Sequence, residues 1–321
     1  MKNKKEYIIL AATILALSLY LVSRSPDRTH YQLPKSSKIA KTDISKLEIS
    51  TPDTSVILEK KDNQWHIAPE GYVADTDRVE QMLEVIEDLT VTALVSESKN
   101  YSRFNLDDDN KITVKAWAGD TTARDFEVGK TATSYRHTFV KLVNDDRVYH
   151  ARGNFRSKFE QTVDKLRDKT VLSFDKSEIQ EIRMTKGRQV VAFGRREVQS
   201  EVISGQPGDG ETPPSPKVET VWQTADGTRA NNSKLDRLLT TLSNLKCEKF
   251  INDMKKQDFM SPIHTIQLKG VEEHTLSIFA KTRKETENYP AVSSGSDYPF
   301  LLPERQVDDL AKDPDEFLKK P

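Results

Sequence analysis

Gly129, Lys130 and Thr131 come nearest in this chain to a phosphate-binding loop, in which backbone N–H groups and a lysine cradle the phosphates of a nucleotide. Such a loop needs a glycine where Arg124 stands and a strand that runs directly into a helix, so the triplet is expected to close a strand instead. No G-x-G-x-x-G occurs, and dinucleotide binding has no support. His66, His137, His150, His264 and His274 are scattered among predicted strands without H-x-x-x-H or C-x-x-C spacing, and His30 falls in a polar stretch. Zinc needs convergent donors, which nothing local supplies, so neither a metal nor a cofactor is expected. The run Asp107, Asp108, Asp109, Asn110 resembles a calcium loop but lacks the following glycine and the glutamate at loop position twelve. It is expected to be a turn, with Asn105 tolerating a left-handed backbone. Ser293, Ser294 and Gly295 lie in A-V-S-S-G-S, which is not a nucleophile elbow. Carboxylates paired for glycan hydrolysis would be invisible at this level, which keeps a cell-envelope hydrolase or transferase as the alternative to a non-enzymatic protein. Tyr289, Tyr298 and Phe300 are the candidate partner contacts, the competing reading being that they pack on their own sheet.

The elements that must position these residues are announced twice. Val79, Met82, Leu83, Ile86, Leu89 and Leu94 match Leu235, Leu238, Leu239, Leu242, Leu245 and Phe250, every pair separated by the same 156 residues. The spacing is one apolar stripe of an amphipathic helix in each copy. Asp75 and Asp77 fall opposite Asn231 and Ser233, side chains that accept hydrogen bonds from the free N–H groups of a first turn. Upstream, Ile44, Leu47 and Ile49 are echoed by Ile179, Ile182 and Met184, and Val56 with Leu58 by Val191 with Phe193, reading as strands that close on Trp65 and Trp222. Downstream, Ile112 with Val114 and Phe126 with Val128 are echoed by Ile266 with Leu268 and Leu276 with Ile278. Phe155, Phe159, Val163 and Leu166 predict a second helix in the first copy, and Val307 with Leu310 a shorter one in the second, with Pro303 at its start. The order strands, helix, strands, helix indicates an α+β fold: a tandem repeat of two similar units, each with mainly antiparallel strands and two helices.

Residues 1–6 read as a cytoplasmic tail carrying Lys2, Lys4 and Lys5, and residues 7–23 as one N-terminal transmembrane helix built on the uninterrupted apolar stretch Tyr7 to Val22. A cleaved signal peptide is the competitor, but large residues occupy the positions where a cleavage site needs small ones. The basic tail places the bulk of the chain outside the cytoplasm, as a single-pass protein of the cytoplasmic membrane, periplasmic where there is an outer membrane. Residues 24–42 read as a polar tether, 43–173 as the first repeat and 174–321 as the second, interrupted by an irregular Gly- and Pro-rich loop at 204–217. The lone Cys247 is expected to be a small packed side chain. A hydrophobic fraction of 36% with 31% charge is globular, and a net charge of -1 gives no pull toward nucleic acid.

Four segments carry a family resemblance: V-I-L-E-K-K-D-N-Q-W-H-I at Val56 to Ile67, Y-V-A-D-T-D-R-V at Tyr72 to Val79, F-N-L-D at Phe104 to Asp107, and L-R-D-K-T-V-L-S-F-D at Leu166 to Asp175. They resemble the domain-of-unknown-function family DUF4340, over most of Asp43 to Asp175 and more weakly through the second copy. The chain departs in having Asn105 where a glycine is usual and Asp109 where a proline is common, both of which keep turn chemistry. The resemblance implies an anchored extracytoplasmic component similar to those encoded beside gliding-motility-type ABC transporters, with the ABC permease and auxiliary subunits as partners beside the lipid bilayer. It brings no catalytic residue. The expected function is therefore a non-enzymatic, membrane-anchored accessory protein that binds a partner or substrate of an ABC-type transport system; a structural spacer is a further alternative.

Overall fold

The computed structural model of the chain describes residues 3–23, 31–34, 38–200, 217–281 and 287–319. Residues 1 and 2 of the expected tail, 24–30 and 35–37 of the expected tether and 204–216 of the expected loop lie outside the described residues. The chain divides into two compact units, Met1–Leu166 and Arg167–Pro321. Both are rich in antiparallel sheet with a few helices, an α+β architecture.

The first unit holds α1 (Asn3–Ser23), β1 (Lys46–Ser50), β2 (Ser55–Lys61), β3 (Gln64–Ala68), β4 (Tyr72–Val73), α2 (Thr76–Glu87) and β5 (Val91–Ser96). After these come β6 (Ile112–Ala118), β7 (Thr121–Thr131), β8 (His137–Leu142), β9 (Val148–Arg152), α3 (Arg156–Phe159) and α4 (Val163–Leu166). Its nine strands form one sheet in the order β4-β3-β2-β1-β6-β7-β8-β9-β5. Alternation along β1 buries Leu47 and Ile49, and along β6 buries Ile112, Val114 and Ala116. On α2 the stripe Val79, Met82, Leu83 and Ile86 is buried in the same core. Asp75 caps that helix, its carboxylate accepting the Arg78 N–H at 3.1 Å, a contact worth about 1 kcal/mol.

The second unit holds β10 (Thr170–Ser173), β11 (Glu181–Lys186), β12 (Gln189–Ser200), β13 (Lys217–Gln223), α5 (Asn232–Leu242), β14 (Asn244–Lys246) and β15 (Lys249–Phe250). It continues with β16 (His264–Lys269), β17 (Glu273–Ile278), β18 (Asn288–Ser293), β19 (Phe300–Pro303) and α6 (Glu304–Leu310). The order of its main sheet is β13-β12-β11-β16-β17-β18-β19-β15, and β10 pairs separately with β14. Asn231 caps α5, accepting the Lys234 N–H at 3.2 Å, and Leu235, Leu238, Leu239 and Leu242 are buried beneath it.

Several expectations change. Phe155 to Leu166 is two single-turn helices rather than one helix, because Thr162 starts a new turn: its carbonyl accepts the N–H of Lys165 at 3.1 Å and of Leu166 at 3.0 Å. A threonine is better suited to such a start than to a helix interior. With seven residues, α6 is longer than either turn, the reverse of the expected order of lengths. β10, read as the end of the first repeat, pairs with β14 of the second unit. Parts of the expected tether pack on the first unit: Leu33 and Ile39 lie against its core, and the Tyr31 hydroxyl accepts the Leu94 N–H at 3.0 Å.

Among the described residues no helix is long and apolar enough to cross a membrane. The exposed apolar part of α1, Tyr7 to Tyr20, is about 21 Å long at 1.5 Å per residue, against a hydrocarbon core of about 30 Å.

Candidate interaction surface

The motif L-R-D-K-T-V-L-S-F-D puts a cation between two rings. The Arg167 guanidinium carbon lies 3.5 Å from the centroid of the Phe250 ring and 4.3 Å from that of Tyr298. Its Nη1 donates to Asn252 Oδ1 at 3.1 Å, and Arg167 is buried. The two rings stand edge to face, 6.2 Å apart at 74°. A cation held over ring faces away from water is stabilised by about 2 kcal/mol or more.

Pairing explains how residues so far apart in sequence meet. Phe250 of β15 stands opposite Phe300 of β19, and the Ile251 N–H donates to the Pro299 carbonyl at 2.8 Å, so Tyr298 arrives beside Phe250. On the other side, the Cys247 N–H donates to the Lys169 carbonyl at 2.9 Å and Lys169 Nζ donates to the Glu248 carbonyl, which fixes Arg167 just upstream. The turn carrying Tyr298 is held from beneath. Lys256 Nζ donates to the carbonyls of Ser293 at 2.7 Å and Ser296 at 2.8 Å. Gly295 is required there because a Cβ would lie 2.9 Å from the Val171 carbonyl oxygen.

The three expected contact residues separate. Tyr298 remains 37% exposed, Tyr289 is half-buried with Lys281 Nζ 4.7 Å from its ring centroid, and Phe300 is fully buried. Phe300 is thus a core residue, its place on β19 turning the ring inward. Beyond Asn252 the chain exposes Met254, Met260 and Ile263, side chains that adapt to an apolar partner surface. This arrangement suits contact rather than proton transfer, since an arginine keeps its charge. Arg167 and Asn252 were not singled out from sequence; the signal that pointed toward Arg167 was the family motif around it.

The polar residues singled out from sequence lie elsewhere. Gly129, Lys130 and Thr131 close β7 as expected, and a Cβ at Gly129 would meet the Phe104 carbonyl oxygen at 2.3 Å. Asn105 is left-handed at φ 54°, and Asn110 Nδ2 donates to Asp107 Oδ2 at 2.8 Å within the acidic turn. His137 and His150 stack 5.2 Å apart, and burial, then His137, holds His150 below its ordinary pKa. His264 is buried with no hydrogen-bond partner on either ring nitrogen. Burial first and Lys186 second push it down to about 4. Asp145 is held at about 2, chiefly by its hydrogen bonds with Arg147. Among the described residues no three His, Cys, Asp or Glu side chains gather as a metal-binding group. A hollow of about 430 Å³ in the first unit gathers Asp53, Asp109 and Glu160 with Arg156 and Lys165. A second, of about 640 Å³ in the second unit, is lined by Arg237, Leu238, Leu310 and Phe317 among others.

In comparisons with known proteins, the family model for the domain of unknown function DUF4340 matches residues 65–265, more than half of the chain. No curated protein and no solved structure matches.

Proposed function

We propose, since this chain belongs to the DUF4340 family, that it is a non-enzymatic accessory protein, anchored in the cytoplasmic membrane by α1, that binds a partner of an ABC-type transport system outside the cytoplasm. The observation that carries this reading is α1 itself. Tyr7, Ile8, Ile9, Leu10, Ile14, Leu15, Leu17, Leu19 and Tyr20 are all exposed, and at helical spacing they leave no polar face. A helix apolar all round belongs in an apolar surrounding. Its apolar run in the sequence, Tyr7 to Val22, is close to the short end of bilayer-spanning lengths, about 17 residues, and Lys4 and Lys5 at its start favour the cytoplasmic side for that end.

The two units are read as tandem copies of one α+β unit. What supports this is the common run of strands, β3-β2-β1-β6-β7-β8-β9-β5 beside β13-β12-β11-β16-β17-β18-β19-β15, with Asp75 and Asn231 capping equivalent helices. The exposed Tyr298 ring, braced by Arg167, and the exposed Met254, Met260 and Ile263 of the segment after Asn252 are the contacts assigned to the partner.

Crosslinking in intact cells, followed by purification through a C-terminal tag and mass spectrometry, tests the reading. ABC permease, ATPase and auxiliary subunits are expected, with their recovery reduced by Tyr298→Ala and Met260→Asp. Capture of envelope-synthesis proteins without transporter subunits would overturn it in favour of a hydrolase or transferase, for which the hollow at Asp53, Asp109 and Glu160 is the place to look.

A further inference from the structure

Resting on the reading of α1 as a membrane anchor, we infer that Tyr31, Leu33, Ile39 and Lys41 act as a strap that holds the outer edge of the first unit's sheet next to the bilayer, within reach of the extramembrane face of an integral membrane protein. Residues 24–42 as a free spacer would extend to about 65 Å at 3.3–3.6 Å per residue. The contacts of Tyr31 shorten that reach. Its hydroxyl accepts the N–H of Leu94 on β5 at 3.0 Å, and β5 is the outermost strand of the nine, with no strand beyond it among the described residues. Leu33 and Ile39 then pack against the core. Lys41 completes the fastening on α2: its Nζ lies 2.7 Å from Glu80 Oε2 and its N–H donates to Glu87 Oε1 at 3.1 Å.

Only residues 24–30 separate the end of α1 at Ser23 from Tyr31. The eight steps from Ser23 to Tyr31 span at most about 29 Å. The Tyr31 backbone therefore stays within about 29 Å of the end of α1, less than half the reach of the free spacer, and the β5 edge lies one tyrosine side chain beyond it. A partner of this edge is accordingly membrane-adjacent, and the strap, with its mixture of one aromatic hydroxyl, two apolar side chains and one ion pair, is the device that keeps it there.

The test uses the full chain reconstituted in vesicles that carry a headgroup-linked fluorescent acceptor, with a donor on Glu97→Cys in a Cys247→Ala background. Flotation with the vesicles reports on the anchor, and energy transfer reports on the strap. Strong transfer is expected from position 97, which lies about 10 Å along the strand direction from Leu94. Ten Gly-Ser residues inserted after Asp27 should lower it several-fold without touching the fold. Tyr31→Phe should speed hydrogen exchange of the Leu94 amide severalfold. A chain that floats but transfers no better than the insertion variant, or whose Leu94 amide exchanges equally fast with tyrosine or phenylalanine at position 31, overturns the strap while leaving the anchor standing. A chain that fails to float overturns the anchor reading and, with it, the membrane proximity of the edge.

Discussion

Replacing His264 by leucine should remove the acid sensitivity of the second unit between about pH 6.5 and 4 that this residue carries. His264 begins β16 between Lys186 of β11 and Ile278 of β17, buried, with both ring nitrogens unpartnered. The charged groups that bear on it are Lys186 and Asp313, themselves paired at 2.7 Å. Burial and the lysine hold its folded pKa at about 4, against 6.5 when free. The unfolded chain therefore takes up the proton first. Stability is complete above pH 6.5 and is lost as pH falls toward 4. At about 1.36 kcal/mol for each pH unit, the loss approaches 2 kcal/mol by pH 5 and about 3 kcal/mol by pH 4. At pH 7 the leucine variant should be at least as stable as the parent, because two desolvated nitrogens are replaced by apolar surface. The assay is denaturant unfolding followed by the fluorescence of the buried Trp222, in a background with Trp65 and Trp117 replaced by phenylalanine, at pH 7, 6, 5 and 4.5. Other groups titrate alike in both proteins, so the difference between the two curves isolates His264. Parallel curves across this range would refute the reasoning.

Asp145→Asn should cost about 2 kcal/mol in the first unit, because the carboxylate, held at about 2, accepts from Arg147 Nε and Nη2 at 2.9 Å and from the Tyr149 hydroxyl at 2.8 Å. In the parent that contribution is complete above pH 3.8 and fades as pH falls toward 2, which a pH series of unfolding midpoints would follow. Gly129→Ala should destabilise the first unit by about 1–3 kcal/mol, since its Cβ meets backbone at the Phe104 carbonyl and cannot be relieved by a side-chain rotation; thermal unfolding reads this directly. Arg167→Ala should destabilise the second unit by about 3 kcal/mol through loss of the stacked, hydrogen-bonded guanidinium, and Arg167→Lys should restore only part of it, because an ammonium lacks the planar face that lies against Phe250 and Tyr298.

What could be read from the residues alone was local. Val79, Met82, Leu83 and Ile86 announced their buried face because a helix repeats every 3.6 residues, and Asp75 and Asn231 announced their caps because a cap acts within three residues. Asn105 announced its left-handed turn for the same reason. Phe155 to Leu166 shows the limit of periodicity. The apolar spacing continued through Thr162, while the backbone hydrogen bonds restarted there. The separation of the candidate contacts was equally hidden. Tyr289, Tyr298 and Phe300 are all aromatic and nearly adjacent, yet Phe300 faces the core and Tyr298 the surface.

The tertiary structure decided everything that depends on distant segments meeting. Arg167, Phe250 and Tyr298 are joined by strand pairings whose partners lie far apart in the chain, and no periodicity links them. The same holds for β10 joining β14, for Tyr31 closing on Leu94, and for His264, whose burial comes from neighbours on other strands. Sequence alone determined that there would be sheets of alternating burial, two capped amphipathic helices and an apolar N-terminal stretch, because these follow from backbone periods of 2.0 and 3.6. Which polar groups would be sealed without partners, and which cation would sit between which rings, followed only from the three-dimensional pairing of strands.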